Sequence, residues 1–134
     1  TGLDISPSII EKCKAKFKGD ARKSFMVYKP NLVESGALQR SDVALSLDVL
    51  YHLVEKEVYI NYLKDLFNFS QKFVVIYSTN YNEVEAVHIV HRKFTDDVAT
   101  LFPEWKLEKE IKNKFPGTGE QESLADFFIF KKNN

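Results

Sequence analysis

Cysteine, glycine and net charge are all scarce in this chain. Cys13 is the only cysteine among 134 residues, so no internal disulfide can form. A reducing, cytoplasmic setting is the expectation. Five glycines are too few and too scattered for a phosphate-cradling loop. The lone Gly117-Thr118-Gly119 lies late in the chain and precedes a strand rather than a helix. Nineteen basic residues offset nineteen acidic ones, leaving no basic excess for nucleic acid. No apolar run approaches the roughly 18 residues of a membrane span. His88 and His91 lie near Arg92, Asp96 and Asp97, but without a cysteine partner or an HExxH context they do not read as a metal site.

What is present suits one folded domain, residues 1–134. Apolar residues make up 44% and aromatics 13%, enough to build a core. Thr1–Ile5 reads as the end of a strand. Ser6-Pro7 then starts a helix, with a capping side chain and a proline in the first turn. Ile10, Cys13 and Phe17 share its apolar face, which makes Cys13 a core residue. Gly19-Asp20 ends the helix. Ser24–Tyr28 is a second strand.

Asp42–Leu47 shows almost no polar alternation, as in a parallel strand covered on both faces. A helix is predicted from about His52 to Phe67, with Tyr59, Leu63 and Leu66 on one side. Phe73–Tyr77 is a strongly apolar run suited to the sheet centre. The pattern weakens after Asn80. Thr95 is the expected cap of a helix ending at Pro103. Trp105, Leu107 and Ile111 mark a half-buried strand, and Ala125–Lys131 the last one. The order β-α-β-β-α-β-α-β-β predicts a mostly parallel open α/β sheet, Rossmann-like, with helices on both faces. The last two strands, having no helix between them, should form an antiparallel hairpin.

In such folds ligands bind at the carboxyl ends of the strands. Asp4 ends the first strand, where two carboxylate oxygens match a ribose diol. Asp48 ends the third, followed closely by Tyr51 and His52. Tyr77-Ser78-Thr79-Asn80-Tyr81 ends the next. Each cluster also has a plainer reading as turn or helix-start chemistry.

Taken together, these pieces resemble class I S-adenosylmethionine-dependent methyltransferases. Thr1-Gly2-Leu3-Asp4-Ile5-Ser6 is similar to the second-strand motif of that family. Asp42–Leu53, with its Val49-Leu50-Tyr51-His52-Leu53 exit, looks like the fourth-strand motif. Lys72–Asn80 resembles the fifth strand, and the terminal hairpin resembles strands six and seven.

The resemblance implies S-adenosylmethionine (SAM) as cofactor and in-line methyl transfer to a small molecule, with a sugar-containing metabolite as the default guess. It implies that Asp4 holds the ribose, that Ile5 packs on the adenine, and that Asp48 and Val49 line the cofactor. Asn31 stands where the family often has an acid near the adenine amino group. Tyr51, His52, Ser78 and Asn80 fall on the substrate side, with His52 the candidate base for an oxygen nucleophile.

The family's first strand and glycine-rich turn have no counterpart here; by the usual spacing they would lie about 20 residues before Asp4. The expectation is therefore an N-terminally incomplete fragment of a longer protein with impaired cofactor binding. An open strand edge would favour self-association. A non-catalytic Rossmann-like scaffold is the alternative.

Two rivals fit less well. A nicotinamide-dependent dehydrogenase would more readily show a Tyr-x-x-x-Lys pair, and no tyrosine here has lysine four positions later. A receiver domain needs paired acids after its first strand.

Overall fold

The computed structural model describes residues 1–117, 119 and 123–133. Thr118, the middle of the lone GxG, lies outside them.

Gly2–Asp4 forms β1 and Pro7–Lys16 forms α1. Ser6 caps the helix as its composition predicts, with Oγ accepting the Ile9 N–H at 3.4 Å. Phe25–Val27, β2, pairs with β1 in parallel. Gly2 makes that pairing possible, because a Cβ there would come within 2.9 Å of the Phe25 ring. Ile10 is the buried residue of α1, whereas Cys13 is only half-buried. The expected core role of Cys13 is thus corrected: the helix covers only a two-stranded sheet, too narrow to bury its whole stripe.

The second sheet holds the main core. Ser41–Leu47 (β3) pairs in parallel with Ser70–Ser78 (β4). Trp105–Ile111 (β7) and Asp126–Lys132 (β8) form the terminal antiparallel hairpin. The order β3-β4-β8-β7 places β8 between its hairpin partner and β4, antiparallel to both. Helices Lys56–Asn68 (α2) and Phe94–Leu101 (α3) cover one face of this sheet. There Tyr59, Leu63, Phe94 and Val98 pack on Val74, Ile76, Phe128 and Phe130, all buried. The Phe67 ring stands edge-on to Trp105 and Phe130, adding to the area term about 0.5–1.5 kcal/mol for each pair.

Several expectations need correction. Strand β3 is not covered on both faces: Ala44 and Ser46 are buried, while Val43, Leu45 and Leu47 on the other side are exposed. The helix after β3 does not start at His52. Leu50–His52 is a short 3-10 turn, and α2 begins at Lys56 after a break. The weak stretch after Asn80 holds a small antiparallel hairpin, Glu83–Ala86 (β5) and Ile89–His91 (β6). Thr95 does not cap α3. It sits inside the helix, and Asn80 Oδ1 accepts its backbone N–H from outside at 3.3 Å. Only Trp105 of β7 is deeply buried. As an edge strand with a register shift between Leu107 and Lys109, β7 leaves Leu107 exposed. No helix among the described residues is long and apolar enough to cross a membrane.

Candidate functional site

Two clusters stand at strand ends. The first is built on β1. Asp4 Oδ1 accepts the backbone N–H of Ser6 at 2.8 Å, which fixes the carboxylate where the strand turns into α1. Among the described residues Asp4 makes no other side-chain hydrogen bond. Next to it Ile5 is 79% exposed. This strand end thus presents one apolar side chain and one partly engaged carboxylate to solvent.

Asn31 lies beyond β2 in a left-handed conformation, φ 61°, which asparagine tolerates better than most residues. Its backbone N–H faces the Asp65 carboxylate at 3.4 Å, and Tyr28 Oη donates to Asp65 Oδ2 at 2.6 Å. Burial first, then this bond, holds the Tyr28 phenol above its ordinary range. Asp65 is 5% exposed and ties the β1–β2 unit to α2. Sequence reasoning passed over it. The available signal was a charged residue three positions after Tyr62 on the packed face of an amphipathic helix.

The second cluster is built on β3 and β4. Asp48 takes φ 59°, and its N–H bonds Tyr77 O at 3.0 Å, continuing the β3–β4 ladder through the turn. Tyr51 Oη donates to Asp48 Oδ1 at 2.7 Å. Burial, followed by that bond, raises the Tyr51 phenol above its usual range and keeps it a donor at neutral pH. Val49 is half-buried. The exposed His52 ring lies 4.5 Å from that of Tyr51. Asp48, Tyr51 and His52 are therefore brought together.

Ser78 and Asn80 are not part of that group. Ser78 is 1% exposed, closed off at the end of β4. Asn80 is spent on Thr95, accepting its N–H and also donating to its Oγ1 at 3.0 Å. No side-chain hydrogen bond joins the Asp4 cluster to the Asp48 cluster among the described residues.

His91 was considered in the sequence only as a poor metal ligand, and the structure gives it a different setting. It is 6% exposed, with Thr79 Oγ1 2.7 Å from Nδ1 and Glu85 Oε2 2.6 Å from Nε2. Its ring lies 5.8 Å from Tyr51 and 4.8 Å from Tyr81.

No family model matches the sequence, and no curated sequence is similar enough to count as a relative. Solved structures are informative. The methyltransferase domain of a bacterial Hen1, CtHen1, superposes at TM-score 0.68 with 20% identity, covering 99% of this chain and 76% of that one. Magnesium protoporphyrin IX methyltransferase from Synechocystis PCC 6803, with bound SAH, gives TM-score 0.68 and 13% identity over 98% of this chain and 63% of that one. The N-methyltransferase NodS from Bradyrhizobium japonicum WM9 gives TM-score 0.69 and 13% identity, covering 98% and 72%. The Synechocystis enzyme is also seen with bound SAM, so this is an architecture that accommodates that cofactor. At these identities the likeness speaks for the fold, and the chain has the fold of class I SAM-dependent methyltransferases.

Proposed function

We propose that this chain carries the nucleoside-facing part of a SAM site and takes part in methyl transfer to a small molecule. The observation that carries the reading is the pairing of Asp4, with one carboxylate oxygen unengaged among the described residues, and the water-exposed Ile5 at the end of a parallel strand. A vicinal diol needs two acceptor sites at a fixed spacing, which Asp4 Oδ2 and the remaining lone pair of Oδ1 supply, and a base needs an apolar platform. The residues present fit that half of the cofactor. Asp4 would hold the ribose hydroxyls and Ile5 would pack on the adenine. Asn31 would offer its side chain near the adenine amino group. Asp48 and Val49 would line the other side.

When bound, SAM supplies an electrophilic methyl group on a sulfonium sulfur. The protein's own contribution is alignment and exclusion of water. Tyr51, held by Asp48, would stand on the acceptor side. His52, exposed and beside Tyr51, is the candidate to take a proton from an oxygen nucleophile. A small-molecule acceptor suits a chain with zero formal charge. The buried Ser78 and the engaged Asn80 leave acceptor contact to Tyr51 and His52.

The test is calorimetric titration of S-adenosylhomocysteine into this chain and into Asp4→Ala. Saturable binding that falls at least tenfold in the variant supports the reading. Equal binding by the two removes Asp4 from the site, and no binding by the unaltered chain overturns the reading for it.

A further inference from the structure

As a pair of strands, the β5–β6 hairpin is weakly held. Its strands are four and three residues long, with a register shift between Val84 and Ala86. Val84 and Val87 are 74% and 94% exposed, so apolar burial does not anchor its outer part. A two-stranded hairpin of this size is at best marginal alone.

We propose that His91 is a positioning residue that latches this hairpin to the ends of β3 and β4, making it the acceptor-side wall of the crevice. Through Glu85 on Nε2 the imidazole ties β6 to β5. Through Thr79 on Nδ1 it ties the hairpin to the exit of β4. Its ring lies beside that of Tyr51, whose hydroxyl is bound to Asp48 at the exit of β3. One buried side chain thus joins three strands and the 3-10 turn. Calling the wall acceptor-side rests on the methyl-transfer reading; the latch itself does not.

The chemistry of the two partners sets the proton's place. A carboxylate only accepts, so Nε2 carries hydrogen and donates to Glu85. A hydroxyl can accept or donate, so Thr79 donates to a neutral imidazole and accepts from a charged one. The latch opens when a partner is removed. The neighbouring Arg92 holds the hairpin's exit separately. Its guanidinium donates to Leu53 O at 2.8 Å and Val54 O at 2.6 Å.

The latch can be tested on the free chain by amide hydrogen exchange. In His91→Ala, exchange should quicken at least tenfold in residues 83–91 and measurably in 49–53, while β3, β4 and β8 stay protected. Should that variant not fold, Glu85→Ala serves instead, since the Glu85 side chain is 58% exposed. Glu85→Gln keeps an acceptor for Nε2–H and should restore protection. Imidazole nitrogen shifts should report a hydrogen-bonded Nε2–H in the unaltered chain and in Glu85→Gln, and loss of that hydrogen bond in Glu85→Ala. Wild-type exchange and an unchanged Nε2 shift in Glu85→Ala would overturn the latch. Failure of the methyl-transfer reading would show instead as absent S-adenosylhomocysteine binding with the exchange pattern intact.

Discussion

The β1–α1–β2 unit and the four-stranded sheet are packed very differently. In the larger sheet, two helices seal one face, and the core runs from Ala44 to Phe130. In the smaller unit, Ile10 is the buried residue of α1, and the sheet has two strands of three residues each. Its attachment to α2 runs through polar contacts on Asp65 and the edge of the Tyr62 ring. The candidate ribose ligand, Asp4, thus rides on the more thinly packed part, while Asp48 and Tyr51 rise from the densely packed one. Ligand-binding segments are commonly drawn from the low-stability end of a fold. A cofactor bridging the two parts would stabilise the weaker one by mass action.

The widest separation between the parts should come from core truncations. Phe130→Ala removes a ring packed between Phe67 and Phe94 and is expected to lower global stability by about 3–5 kcal/mol. Denaturant unfolding should show this as a lower midpoint. Ile10→Ala, although equally buried, should leave that midpoint nearly unmoved and instead speed amide exchange in residues 2–17. A similar midpoint loss in both variants would mean that the parts unfold as one.

A smaller effect is expected at the junction. Tyr28→Phe leaves Asp65 buried without its shortest hydrogen bond, at a cost of about 1–3 kcal/mol. It also bears on alkaline unfolding. The folded protein holds the Tyr28 phenol above its ordinary value of 10.0, through burial and then Asp65. The unfolded chain therefore loses this proton first, and stability is present below pH 10 and declines above it. Tyr28→Phe should flatten that decline in a pH series, and an unchanged slope would remove Tyr28 as a contributor. Least affected should be Lys72→Ala. The Lys72–Asp42 pair is exposed on both sides, so the loss should stay under about 1 kcal/mol. A larger loss would show that the open face of β3 is more ordered than its exposure suggests.

Elements with strong local chemistry were legible in advance. Ser6-Pro7 marked the start of α1, and β4 and β8 followed from continuous apolar runs. The Asp48–Tyr51–His52 grouping was legible because the residues are near neighbours in sequence. The β5–β6 hairpin was not, since Glu83–His91 mixes charged and apolar residues in no sustained alternation, and its cohesion comes from contacts outside it. Asp65 and His91 went unassigned for the same reason. Asp65 is 37 positions from Tyr28, and His91 is 12 from Thr79. Thr95 shows the opposite error: a good capping residue was displaced because Asn80, 15 positions earlier, supplies the oxygen.

By itself the sequence determined the alternation of strands and helices, the terminal hairpin and the acids that end β1 and β3. Those features depend on hydrophobic period and turn chemistry, which act over a few residues. Only the tertiary structure decided which face of β3 is covered, that Ser78 is sealed, and that Asp65 and His91 become buried junctions. Burial and hydrogen-bond partnership depend on which distant surfaces meet, and periodicity within one segment carries no record of that.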